Sequence, residues 1–149
     1  MAAMALCLGQ GASAQACTAS PQALEATPQQ VREFFAAKRW KVVSFFGYSG
    51  AEYEHPAAML KHAGRALDGL NTQRVVVNIG ATAQGIGAVY ALAKRRGFTT
   101  TGIVSSLARE QGVALSPCVD HVFYVKDPSW VACCPAPPCW RRLPTRWSQ

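Results

Sequence analysis

Gly80, Thr82, Gly85, Ile86 and Gly87 stand in the stretch Gly-Ala-Thr-Ala-Gln-Gly-Ile-Gly, from Gly80 to Gly87. A β-branched run, Val75 to Val77, precedes it, and a segment of helical period, Ala88 to Arg96, follows it. Strand, glycine-rich turn and helix in that order make an anion site. The first N–H groups of a helix have no intrahelical partner, and the helix dipole adds positive potential at the same end. A second junction has the same design: Lys41 to Phe46 reads as a strand, and Gly47-Tyr48-Ser49-Gly50 turns the chain towards a helix over Pro56 to Leu70. Gly47, Ser49 and Gly50 are therefore candidate ligand-binding residues beside Gly80, Thr82, Gly85, Ile86 and Gly87. Two such turns at the carboxyl ends of parallel strands lie side by side, where open α/β sheets bind ligands.

The elements that hold these turns follow from periodicity. Val89, Leu92 and Ala93 share one helix face, and Gly97 is placed to end that helix in a left-handed conformation. Phe98 to Val104 is the next strand, which completes a βαβ unit and requires parallel pairing. Upstream, Thr27-Pro28-Gln29-Gln30 is a helix start: Thr27 caps, Pro28 takes the first helical position, and Gln30 closes a capping box. Val31, Phe34 and Phe35 form that helix's apolar stripe, with Trp40 packing it onto the sheet. Leu107 to Gln111 is a short helix ended by Gly112, and His121 to Val125 is a fourth strand. The expected fold is α/β, a three-layer Rossmann-like domain with a mainly parallel sheet of about four strands in an order of the 3-2-1-4 kind, incomplete on its C-terminal side.

The chain has 149 residues, half of them hydrophobic, and a formal net charge of +7. This suits one globular domain. No apolar run approaches the ~18–20 residues of a membrane span, so no membrane partner is expected. Nor is nucleic acid. The basic excess sits in Lys94-Arg95-Arg96, at a helix C-terminus, and in Arg141, Arg142 and Arg146, with no aromatic residues interleaved on a basic face.

Residues 1–26 read as a flexible leader, 27–130 as the domain, and 131–149 as an irregular tail. Ala12-Ser13-Ala14 resembles a signal-peptidase site, but no Lys or Arg precedes it. The tail holds Cys133, Cys134 and Cys139 among prolines, tryptophans and arginines and carries no acidic residue. That composition is what a GC-rich frame yields when translated out of register, so a frameshift near Trp130 is expected. The six cysteines match neither a disulfide framework nor a zinc site. Cys118, the only one inside the domain, reads as a small hydrophobe in a cytoplasmic, reducing-compartment protein. Ending the sheet at the fourth strand leaves Phe123 and Tyr124 on an uncovered edge, which predicts a homo-oligomer or poor solubility.

The glycine spacing separates known phosphate turns. In a dinucleotide G-x-G-x-x-G fingerprint the two close glycines come first; here they come last. The T-G-x-x-x-G-I-G turn of short-chain dehydrogenases matches at Gly85-Ile86-Gly87, but Gly80 lies one residue too far away. Those enzymes also carry this turn after their first strand, so an NAD(P)-dependent oxidoreductase is a distant alternative.

Phe46-Gly-Tyr-Ser-Gly50, the alanine- and leucine-spaced helix Ala57 to Leu70, the glycine turn, and Gly97 with Thr101-Gly-Ile-Val104 occur in one order. In that order the chain resembles the SLOG superfamily, which holds the "lonely guy" phosphoribohydrolases and the lysine decarboxylase-like proteins. The resemblance covers about Lys41 to Val125. It implies a nucleotide-like or phosphorylated small molecule held at its phosphate and ribose by Gly47, Ser49, Gly50, Gly80, Thr82, Gly85 and Gly87. It also implies an ancestral N-glycosidic hydrolysis of nucleoside monophosphates. The family's Pro-Gly-Gly-x-Gly-Thr-x-x-Glu motif, which supplies the catalytic glutamate, is absent from this sequence. No catalytic residue, metal or cofactor is therefore expected, and a non-catalytic nucleotide sensor or a defective truncated product stands as the alternative. The remaining chemistry-bearing residues read as structural: His55 and His62 at the surface, Glu52 and Glu54 in a solvated loop, and Ser105 as a helix cap.

Overall fold

A computed structural model describes residues 17, 20–50 and 53–126. It is an open, five-stranded, all-parallel sheet with four α-helices. In chain order the elements are β1 (Gln22–Glu25), α1 (Pro28–Ala37), β2 (Lys41–Ser44), α2 (Pro56–Leu67), β3 (Val75–Ile79), α3 (Ala88–Arg95), β4 (Thr99–Ser105), α4 (Ser106–Glu110) and β5 (His121–Val125). One 3-10 turn, Gly85–Gly87, leads into α3. The expected α/β class, three-layer arrangement and parallel sheet are present.

The strand order is β1-β5-β4-β3-β2. This corrects the expected 3-2-1-4 order. The strands Lys41–Ser44, Val75–Ile79, Thr99–Ser105 and His121–Val125 lie side by side in chain order, because each short βα unit delivers its strand to the free edge of the one before. The strand count is corrected too. Gln22–Glu25, in the stretch expected as leader, adds a fifth strand beside β5, in register Gln22↔His121 to Glu25↔Tyr124. The expectation of an uncovered edge at Phe123 and Tyr124 fails for this reason: β1 pairs with that edge, and both residues are buried. The ground for predicting self-association at β5 goes with it.

Two cores flank the sheet. On one face α2, α3 and α4 cover Val75, Val77, Ile79, Val104, Val122 and Tyr124. On the other, among the described residues, α1 alone lays Val31 and Phe35 over Val76, Ile103, Phe123 and Val125. The central strand β3 is buried along its whole length, and fully burying a valine side chain stabilises by roughly 1.5–3 kcal/mol. Helix α1 starts as its sequence dictates. Thr27 Oγ1 accepts from the Gln30 N–H at 3.2 Å, and Gln30 Oε1 accepts from the Thr27 N–H at 2.8 Å. Gly97 and Gly112 end their helices at φ +81° and +64°. Trp40 packs edge-on against Phe34 with centroids 5.9 Å apart.

Cys17 and Cys118 are joined by a disulfide, with Cα atoms 4.6 Å apart and 101 residues of separation. This corrects the reading of Cys118 as an unpaired small hydrophobe. Pairing β1 with β5 brings the residues just ahead of both strands together, a proximity that exists only once the sheet is formed. Among the described residues no helix is long and apolar enough to cross a membrane. The basic run on α3 is largely engaged within the fold: Lys94 Nζ pairs with Asp120 at 2.8 Å and Arg96 with Asp68 at 2.7 Å.

A polar row crosses the α1 face within the apolar pattern. Asn78 Nδ2 donates to Ser44 Oγ and Thr101 Oγ1 donates to Asn78 Oδ1, each at 3.2 Å. His121, in register with Thr101, stands next in the row, and its Nδ1 is buried without a hydrogen-bond partner. Phe34 and Trp40 pack on the imidazole at 5.4 and 6.0 Å. Burial among them holds its pKa below 6.5, with Lys38 and Lys94 acting in the same direction and Asp120 opposing. The folded state therefore binds this proton less readily than the unfolded chain. The neutral imidazole costs nothing above pH ~6.5, and stability falls as pH drops below that value towards the folded-state pKa. We expect the melting midpoint to fall between pH 7.5 and 5, with a shallower slope in His121→Phe; equal slopes in thermal scans of the two proteins would refute this assignment.

Candidate functional site

The two glycine turns meet at the carboxyl end of the sheet. The Ile86 N–H donates to the Tyr48 carbonyl at 3.0 Å, tying the turn after β3 to the turn after β2. Between them lies a cleft of about 400 Å³. Of the residues expected to bind ligand, Gly47, Ser49, Gly50, Gly80, Thr82 and Ile86 line it, whereas Gly85 and Gly87 do not. The expected pairing of the two turns is therefore present, with two of the eight residues set back from the cleft.

The glycines divide by what surrounds them. A Cβ on Gly87 would overlap the Thr82 carbonyl oxygen, and one on Gly47 would overlap the Tyr53 hydroxyl. Gly87 needs glycine because the atom in its way is backbone, whereas at Gly47 it is the end of the Tyr53 side chain. Gly85 adopts φ +56°, a left-handed conformation that opens the 3-10 turn. A Cβ on Gly80 would meet nothing within 4 Å. Gly80 is thus the expected residue whose missing side chain leaves room in the cleft itself.

The turn is held from behind by groups that sequence reasoning missed. Ala81 stands at φ +65°, an uncommon conformation for a residue with a Cβ. Its N–H donates to the Tyr90 hydroxyl at 3.1 Å, and that hydroxyl donates to the Thr101 carbonyl at 2.8 Å. The Ala81 carbonyl accepts from the Ser116 N–H at 2.8 Å. Gly102 on β4 makes the approach possible, since a Cβ there would stand 2.6 Å from that of Ala81. Within the turn, the N–H groups of Ala81, Ile86 and Gly87 are all spent on internal bonds. The turn is a rigid scaffold with fewer open donors than a bare helix start.

Tyr90 and Lys94 have the Tyr-x-x-x-Lys spacing that short-chain dehydrogenases use. Here the Tyr90 ring is fully buried behind the turn and Lys94 pairs with Asp120, so neither lines the cleft. The cleft walls are mainly apolar and aromatic. Phe46 and Tyr48 are 66% and 69% exposed at its rim, and Ile79, Ile86 and Val104 lie deeper. Among the described residues the polar side chains in the lining are Tyr48, Ser49 and Thr82, and none is Asp, Glu, His, Lys or Arg. A serine without a base is a weak nucleophile.

A second, more open cleft of about 410 Å³ lies at the carboxyl ends of β1 and β5. Glu25, Glu110, Tyr124 and Lys126 line it, and Glu25 is already engaged by Arg109 at 2.7 Å. The other expected structural residues behave as such. Ser105 caps α4, accepting from the Leu107 N–H at 3.3 Å, and Glu54 and His55 are exposed. Among the described residues no group of three potential metal ligands converges. Glu52 and the cysteines of 131–149 lie outside the described residues.

Tyr90→Phe keeps the ring but leaves the Ala81 N–H and the Thr101 carbonyl without this partner. We expect a loss of about 1–3 kcal/mol in denaturant unfolding, and stability equal to that of the parent protein would show that the hydroxyl does not hold the turn. Comparison with protein-family models, curated proteins and solved structures finds no match to this chain.

Proposed function

We propose that the protein is a SLOG-like binding protein for a nucleotide or phosphoribosyl ligand, and that it binds without turnover. The observation that carries this reading is the cleft between the two joined turns, with aromatic side chains at its mouth and, among the described residues, no Asp, Glu, His, Lys or Arg in its lining. An aromatic rim suits the flat face of a base, and stacking on an aromatic side chain contributes ~1–3 kcal/mol per base. Ser49, Thr82 and the backbone around Gly80 supply neutral hydrogen-bond partners for a ribose or phosphate oxygen. Hydrolysis of an N-glycosidic bond needs a carboxylate or another acid–base group at the scissile atom. Among the described residues the cleft lining holds no carboxylate, imidazole or amine, which supports the sensor alternative over the ancestral reaction.

We expect AMP to raise the melting midpoint in proportion to the logarithm of its concentration, since a ligand that binds only the folded state must do so. We also expect no adenine release from AMP in a chromatographic assay. No shift at millimolar AMP would overturn the binding assignment, and release of free base would overturn its non-catalytic part. Gly80→Ala places a methyl group in open cleft space. It should leave the midpoint of the free protein nearly unchanged and weaken AMP binding by about tenfold, the equivalent of ~1.4 kcal/mol. Titration calorimetry of the parent and variant checks this, and undiminished affinity would move the ligand elsewhere.

A further inference from the structure

The disulfide between Cys17 and Cys118 has no role in the ligand cleft. It sits at the opposite, amino-terminal end of the strands, and neither cysteine lines either cleft described above. Cys118 is held firmly. It is 8% exposed within the larger core, its carbonyl accepts from Thr100 Oγ1 at 2.6 Å, and its N–H donates to Ser116 Oγ at 3.3 Å. Cys17 packs against the same core from outside.

What the bond holds is otherwise weakly held. Every residue of β1 is exposed, and among the described residues β5 is its sole strand partner. Its flanking anchors are the Gln22 N–H to the Asp120 carbonyl at 2.9 Å, the Ala26 N–H to the Tyr124 carbonyl at 3.0 Å, and the Arg109–Glu25 ion pair. That pair is solvent-exposed on both sides, and such pairs contribute little. A four-residue exposed edge strand needs a tether, and closing a loop of this length restricts the unfolded chain strongly.

Such a bond does not persist in a reducing cytoplasm, where thiol reductants keep cysteine pairs open; structural disulfides belong to oxidising compartments. The residues directly before Cys17 agree. Ala12-Ser-Ala-Gln-Ala16 contains two overlapping Ala-x-Ala patterns, the small-residue signature that export peptidases read, and Met4 to Leu8 upstream is apolar. Residues 1–8 carry no Lys or Arg, so the disulfide is the principal support and the leader pattern is secondary.

We propose that this protein acts in an oxidising compartment outside the cytoplasm, with Cys17–Cys118 as a permanent structural bond that fastens β1 to the sheet. On formation, the two thiols lose two protons and two electrons. A protein disulfide of that compartment's thiol oxidase accepts the electrons and is itself reduced to a dithiol.

The test uses cells that naturally produce the protein, quenched with a thiol-alkylating reagent before lysis and then fractionated. We expect the chain in the extracytoplasmic fraction, with its Cys17 and Cys118 peptides linked and alkylated only after reduction. Recovery from the cytoplasm, in either redox state, would overturn the proposal, as would Cys17 and Cys118 both alkylated before reduction. The purified chain gives a second readout. Reductant should lower the melting midpoint of the parent by at least about 10 °C and leave the midpoint of a Cys17→Ser/Cys118→Ser variant where it was. A parent midpoint indifferent to reductant would refute the structural role even if the variant failed to fold.

Discussion

One buried hydroxyl governs the carboxyl end of this sheet. Tyr90 stands on the first turns of α3, and its oxygen accepts from Ala81 and donates to Thr101. It thereby connects the glycine turn, the helix that follows it and the next strand, three elements that a βαβ unit otherwise joins only through the chain. A fully buried phenol must satisfy its oxygen, and a buried backbone N–H must find an acceptor. Each requirement is met by the other, which keeps Ala81 in its left-handed conformation and fixes the start of the turn. The approach of Gly102 to Ala81 and the bond from Ser116 close the remaining sides.

That constraint changes what the glycines mean. A glycine-rich turn suggests a backbone laid open to phosphate. Here Gly87 exists so that the Thr82 carbonyl can pass, Gly47 so that Tyr53 can reach over, and Gly85 so that the chain can enter a 3-10 turn. Gly80 alone of the three glycines in Gly80–Gly87 borders the cleft. The space between the turns is bounded by aromatic and aliphatic side chains with a few neutral polar groups, and that composition is suited to holding a flat, largely uncharged ligand portion. Three ion pairs stand away from that cleft: Lys94 with Asp120, Arg96 with Asp68, and Arg109 with Glu25.

The two faces of the sheet are built unequally. Among the described residues three helices cover one face, and α1 alone spans the other, bearing on a row of Ser44, Asn78, Thr101 and His121 set into an otherwise apolar surface. Asn78 interrupts the run of β-branched residues in β3, and it is tolerated because its side-chain amide bonds to both neighbouring strands. Such bonds require one register, since a shift of one residue would carry Asn78 to the other face. His121 extends the row but lacks a partner at Nδ1, so it is the member whose protonation the fold resists.

Local features were legible in the sequence because neighbouring residues decide them. The Thr27–Gln30 capping box, the left-handed helix ends at Gly97 and Gly112, the valine run of β3 and the pairing of two glycine turns at one sheet edge all follow from a few consecutive side chains and the backbone conformations they permit. Strand β1 was not legible, because Gln22–Glu25 has no alternating pattern and becomes a strand only against the open edge of β5. The strand order, the Cys17–Cys118 bond across 101 residues, the burial of Tyr90 and the pairing of Lys94 with Asp120 away from the cleft were likewise decided by tertiary structure. So was the division between glycines filled from behind and the one left open. Each depends on which distant segments come within a few ångströms of one another, and no spacing along the chain encodes that distance.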